Sequence, residues 1–162
     1  TRCQFYQGKA DWRAISRVKQ AVSIPVVANG DVASPADAAA IVEASGADAV
    51  MVGRAHYGAP WTAGAIAHAA AGMRADDLPG GAEALAGYVV AHYEDMLSLY
   101  GVQSGLRQAR KHLGWYLDRH ASEVSAELRR SILTATQPDT VIAALRLAFI
   151  EGAPTRELRE AA

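Results

Sequence analysis

IPVVANGDVASPADAAAIVEASGADAVMVGR, residues 24–54, decides the fold of the first half of this chain. Pro25 to Ala28 is an apolar run that stops at Asn29-Gly30, and Ala49 to Val52 repeats the pattern and stops at Gly53-Arg54. Short apolar runs bounded by turn residues suit strands buried on both faces. Between them Ser34 offers a hydroxyl cap, Pro35 fits the first helical position and Asp37 puts an acid in the first turn. A helix is therefore predicted up to Ala44 or Ser45, with Gly46 ending it.

The pattern continues on both sides. Upstream, Asp11 can cap a helix from Trp12 to about Ala21, in which Trp12, Ile15, Val18 and Val22 recur at helical spacing. Downstream, AHYGAPW leads into a predicted helix from Trp61 to about Ala71. Helix, strand, helix, strand, helix is the order of a parallel α/β fold. Two strands cannot close a sheet, and a complete (β/α)8 TIM barrel takes about 250 residues. Residues 1–76 therefore read as the last strands and helices of such a barrel. The start at Thr1, without a methionine, agrees with a piece of a longer protein.

At ADDLPGG, residues 75–81, turn residues accumulate and strand signals do not return. Residues 77–162 read as an all-α domain, with helices at about Ala82 to Tyr100, Ser104 to His120, Ser122 to Ala135 and Pro138 to Ile150. Val141, Ala144, Leu145, Ala148 and Phe149 make one apolar stripe, which a small antiparallel helical bundle would bury. The fold class expected is thus α/β plus all-α, with a frayed tail after Gly152.

Composition narrows the function. A chain of 162 residues that is 51% hydrophobic, with a formal charge of −1, gives no global reason to expect nucleic acid, so only a local basic patch could bind it. No apolar run reaches the ~20 residues of a membrane span and no signal peptide opens the sequence, which predicts a cytoplasmic protein. The lone Cys3 excludes an internal disulfide framework and a CxxC metal pair, so no metal site is expected.

The two strand-end turns carry the chemistry. Glycine lets a phosphate approach the backbone, successive amide N–H groups can cradle it, and the helix starting near Ser34 would add its positive end. Gly53-Arg54 adds a second close approach and a guanidinium that can pair with phosphate. Either turn alone is an ordinary strand end. Paired, in phase and one βα unit apart, they form the phosphate-holding corner that barrels place after their last strands. The pattern says phosphate, but not which molecule carries it.

Several spaced motifs supply that. TRCQFYQGKADW at 1–12, IPVVANGDV at 24–32, SGADAVMVGR at 45–54, GAPW at 58–61 and ARKHLGWY at 109–116 resemble, in order, the tRNA-dihydrouridine synthases of the bacterial B-type branch. The resemblance implies a flavoenzyme that holds FMN, takes reducing power from NADPH and reduces the C5–C6 bond of uridines in the tRNA D-loop region. It puts the flavin phosphate on Asn29, Gly30 and Asp31 and on Gly53 and Arg54. In that family a cysteine in an Asn-x-Gly-Cys-Pro type loop protonates C5, and no such loop occurs here. No catalytic residue is therefore expected in this fragment, and the isolated fragment is expected to be inactive. Cys3 stands in a TRCQFY context and reads as structural. His56 interrupts a stretch where RGAxGRPW is common in the family, and reads as a rim residue.

The later half holds the basic patch. Arg107, Arg110, Lys111 and Arg119 concentrate on one predicted helix with His112, and Arg107, Lys111 and Gly114 share a face. Cations can neutralise phosphates and aromatic rings can stack on unpaired bases, so the helix suits tRNA docking. Trp115 reads as core, while Tyr116 adds a ring near the patch. Arg129 and Arg130 either extend the patch or pair with Glu123 and Glu127. Two other readings stay open: another FMN- or phosphate-binding TIM-barrel oxidoreductase, such as a dihydroorotate or IMP dehydrogenase relative, or a non-catalytic RNA-binding protein. Open strand edges also predict self-association of the fragment.

Overall fold

The computed structural model of the chain describes residues 7–73 and 79–150. Cys3 and the tail after Gly152 lie outside the described residues. The chain divides into two compact units, Thr1–Leu78 and Pro79–Ala162.

The first unit runs α1 (Trp12–Ala21), β1 (Val27–Asn29), α2 (Pro35–Ser45), β2 (Ala49–Met51), a 3-10 turn at Arg54–His56 and α3 (Thr62–Ala70). The strands pair in parallel, with Val27 opposite Ala49, Ala28 opposite Val50 and Asn29 opposite Met51. Asp11 caps α1 by accepting the Ala14 N–H, and Ser34 caps α2 by accepting the Asp37 N–H. Gly46 ends α2 at a φ of 67°, a left-handed conformation glycine adopts without Cβ strain. Asp48 ties α1 to both strands: it accepts from Lys19 Nζ and from the Val26 N–H, each at 2.7 Å. The hydrogen bond from Lys19 is the main reason its carboxyl titrates below the usual range.

Two expectations about the strands need correction. The first strand is Val27–Asn29 rather than residues 25–28, and the second ends at Met51 rather than Val52. Pro25 has no N–H to give a ladder, and the Val26 carbonyl accepts from both Asp48 and Ala49 just outside it. Nor are the strands buried on both faces. Side chains alternate along a strand, and the cluster of Ala28, Val32, Ala38, Ile41 and Ala47, with Trp12, Ile15 and Val50 against it, covers only one face. On the other, Val27 is 57% and Met51 46% exposed.

The second unit comprises α4 (Ala82–Tyr100), α5 (Val102–His120), α6 (Ala126–Thr134) and α7 (Pro138–Ile150). Gly101 alone separates α4 from α5, so α5 turns back along α4. A Cβ on Gly105 would lie 2.8 Å from both the Leu97 Cα and the Met96 carbonyl oxygen, and only glycine permits that approach. α7 packs against α4 and α6, and its stripe of Val141, Ala144, Leu145, Ala148 and Phe149 is buried. α5 starts two residues before the predicted Ser104. α6 starts at Ala126 rather than Ser122, because Ser125 is its cap and the Val124 N–H is spent in a turn on the Ala121 carbonyl.

Candidate functional site

The turn after β1 takes its shape from its backbone. Gly30 sits at a φ of 132° and Asp31 at 56°, so two consecutive residues leave the ordinary region. The chain reverses there and clasps the segment that leads into α1. Trp12 Nε1 donates to the Gly30 carbonyl at 2.8 Å, and the Ala10 N–H donates to Asp31 Oδ2 at 2.7 Å. A Cβ at Gly30 would come within 2.5 Å of the Ala10 Cβ, so the clasp closes only over glycine.

The turn after β2 approaches from the neighbouring strand. The Asn29 side-chain oxygen lies 3.9 Å from where a Cβ of Gly53 would stand, and Arg54 Nη2 lies 3.6 Å from Asp31 Oδ1. All five residues expected at the site, Asn29, Gly30, Asp31, Gly53 and Arg54, line one open cleft of about 1250 Å³. Lys9, which sequence reasoning did not single out, lines it too. Among the described residues, the Asp31 amide N–H donates to no protein acceptor. Arg54 and Asp31 are both substantially exposed, so their pairing orients the guanidinium more than it stabilises the fold.

The start of α2 does not play the part expected of it. The carboxylate of Asp37 accepts from the Ser34 hydroxyl at 2.7 Å and from the Ala33 N–H at 3.1 Å, and Ser34 in turn accepts from the Asp37 N–H. The Ser34 hydrogen bond, then that of Ala33, holds the Asp37 carboxyl below its usual range. The start of α2 thus already holds a carboxylate where a free positive helix end was expected. His56 is half-buried in the 3-10 turn and does not line the cleft.

On α5, Arg107, Arg110 and Lys111 are exposed and belong to none of the ion pairs among the described residues. Arg129 pairs with Asp118 at 2.6 Å, so it neither extends the patch nor pairs with Glu123 or Glu127, and it removes the one acid of that helix from competition. The two aromatic residues exchange the places expected for them. Trp115 is only partly buried, with Lys111 Nζ 5.0 Å from its ring centroid, while Tyr116 is fully buried and shares a 2.9 Å hydrogen bond with His92 Nδ1. Burial lowers the pKa of His92 and of His112, and their mutual proximity adds to the shift at His92. Both imidazoles are therefore neutral near pH 7. No signal in the sequence marks this cluster, since His92 and Tyr116 meet across 24 residues.

Among the described residues no helix is long and apolar enough to cross a membrane, and no group of three or more His, Cys, Asp or Glu could hold a metal ion.

A parallel β/α unit with a cleft at its strand ends, followed in sequence by an all-helical unit with a bare basic face, defines the class. Residues 1–153 match the family described as Dihydrouridine synthase (Dus), and the chain belongs to that family. It is 50% identical over 151 residues to a probable tRNA-dihydrouridine synthase of Rhodobacter capsulatus, covering 93% of this chain and 45% of that protein. It is 46% identical over 153 residues to one of Rhizobium leguminosarum bv. phaseoli, covering 94% and 46%. To the tRNA-dihydrouridine synthase B of Xanthomonas axonopodis pv. citri it is 42% identical over 158 residues, covering 95% and 46%. The chain spans about half the length of these curated relatives.

Proposed function

We propose that the full-length protein containing this chain is an FMN-dependent, cytoplasmic tRNA-dihydrouridine synthase, reducing uridine in the tRNA D-loop with NADPH as reductant. The observation that carries the reading is the convergence of the Asn29–Asp31 and Gly53-Arg54 turns on one cleft, in a chain whose relatives bear that name. In this reading residues 1–76 are the last strands of a TIM barrel and residues 77–162 are the tRNA-binding domain. The exposed Val27 and Met51 face then turns toward the barrel interior.

The cleft residues fit a phosphate ester. Gly30 leaves room at the backbone, the Asp31 N–H has no protein acceptor to give up, and Arg54 supplies the counter-charge. The carboxylate of Asp31 is an acceptor and would repel a phosphate. Its part is to hold Ala10 and orient Arg54, and only its N–H serves the anion. Bound FMN would supply the hydride chemistry. The residues here fix one end of it, and Asn29 borders the same space. The proton donor to the uracil is assigned to the rest of the protein, so the 162-residue chain alone is inactive.

Arg107, Arg110 and Lys111 are the tRNA-docking cations of this proposal. Mass spectrometry of digested tRNA, after incubation of the full-length protein with FMN and NADPH, tests it. A gain of two hydrogens on a D-loop uridine is expected. Tightly bound, reducible flavin with no change in tRNA would send the assignment to another flavin-dependent barrel enzyme.

A further inference from the structure

The charges around the strand-end cleft leave one cation without a task. Among the described residues that line it, Lys9 and Arg54 are cationic and Asp11 and Asp31 are anionic, so they sum to no net charge. Three of the four already serve the protein. Asp11 caps α1, while Asp31 accepts from the Ala10 N–H and lies 3.6 Å from Arg54 Nη2. Lys9 is different: it is exposed, and its ammonium enters no hydrogen bond or ion pair among the described residues. The nearby cations of α1 do not substitute for it, since Lys19 is spent on Asp48 and Arg13 and Arg17 do not line the cleft.

The backbone holds Lys9 in this position. Gly8, at a φ of 77°, bends the chain just before it. Just after it, the 2.7 Å hydrogen bond from the Ala10 N–H to Asp31 Oδ2 ties the chain to the turn that follows β1. An ammonium with three donors on a flexible four-carbon stem is thus rooted one residue from a turn whose Asp31 N–H has no protein acceptor among the described residues. A phosphate monoester brings about −1.5 to −2 charge near pH 7. Arg54 shares its charge with Asp31, so it does not balance that anion alone, and without Lys9 the cleft would be net negative. An RNA phosphodiester, with a single charge, makes less of this demand. The charge balance therefore favours the terminal phosphate of the flavin as the partner.

We propose that Lys9 is a second cation for the flavin phosphate, supplied by the segment before α1 as Arg54 is supplied by the turn after β2. This rests on the flavin-phosphate reading above and deepens it by naming a residue that makes the site select a doubly charged phosphate.

The test is fluorescence titration of the full-length apoprotein with FMN and with riboflavin, for the unaltered protein and for Lys9→Gln, Lys9→Arg and Arg54→Ala. Lys9→Gln is expected to weaken FMN by about five- to tenfold, as loss of one charge-assisted contact at an exposed site should, with riboflavin unchanged. Lys9→Arg, which keeps the charge, should stay within about threefold of the original for FMN. Unchanged riboflavin affinity also shows that each variant is folded. FMN affinity unaltered in Lys9→Gln, with Arg54→Ala still effective, would overturn the role of Lys9 and leave the phosphate cleft standing, whether or not tRNA binding weakens. An equal loss of FMN and riboflavin in Lys9→Gln would likewise overturn it, because the lysine would then act on the fold or the flavin ring. No preference for FMN over riboflavin in the unaltered protein would overturn both.

Discussion

Replacing Gly30 with alanine tests whether the turn after β1 is as constrained as its geometry says. The residue sits at a φ of 132°, where an L side chain is strained by about 1–3 kcal/mol. The added Cβ would also stand 2.5 Å from the Ala10 Cβ, and relieving such overpacking costs about 1–3 kcal/mol more. Gly30→Ala should therefore lower the unfolding free energy by about 2–6 kcal/mol, a large part of the ~5–15 kcal/mol of a typical domain. Urea denaturation of the full-length protein reads this directly. Adding Ala10→Gly should return the steric share and leave the φ share, because the two residues touch and their effects do not add. Gly64→Ala is the control: it lies in α3 with nothing within 4 Å of the new Cβ, and should be stabilising by about 0.5–1 kcal/mol. A loss below about 0.5 kcal/mol for Gly30→Ala would refute the reasoning, as would a double variant no better than the single.

Two further predictions concern the helical unit. His92 and His112 have folded pKa values below the ordinary histidine value of 6.5, chiefly through burial. The folded state thus prefers the neutral ring, and the stability this gives is complete above about pH 6.5 and is lost as the pH falls below it. Urea midpoints recorded between about pH 8 and 5 should be flat at the upper end and decline at the lower, before Asp37 and Asp48 begin to titrate; midpoints flat throughout would contradict it. Tyr93 is fully buried, and among the described residues its hydroxyl has no hydrogen-bond partner. Tyr93→Phe removes a desolvated hydroxyl while keeping the ring, so thermal unfolding should show stability equal or higher by about 1 kcal/mol; a loss beyond about 1 kcal/mol would mean that the hydroxyl is satisfied.

What the sequence disclosed and what it concealed follow from the range of the interactions. The caps at Asp11 and Ser34 act within three residues, so their signal is local and both helix starts were legible. The strand-end turns were legible as turns for the same reason. Their closure was not, because Trp12 reaches Gly30 across 18 residues and Ala10 reaches Asp31 across 21. The acid at position 37 was legible as a helix-start signal, but not that its carboxylate would occupy the helix end expected to face a phosphate. Side-chain type also misled at Trp115 and Tyr116. Apolar bulk suggested that Trp115 would be core, but the adjacent Tyr116 faces α4 and takes the buried position through its bond to His92. The exposed Val27 and Met51 show the same limit: an apolar run reveals that a strand prefers burial, and not what provides it.

The central claim is that the cleft at the strand ends grips the phosphate of a flavin, and comparing FMN with riboflavin isolates that grip, since the two ligands differ only in the phosphate. Fluorescence titration of the full-length protein and of its Arg54→Ala variant would measure it. The account predicts that FMN binds far more tightly than riboflavin, and that Arg54→Ala weakens FMN by about tenfold or more with riboflavin little changed. Equal affinity for the two ligands, or an equal loss of both in the variant, would contradict it.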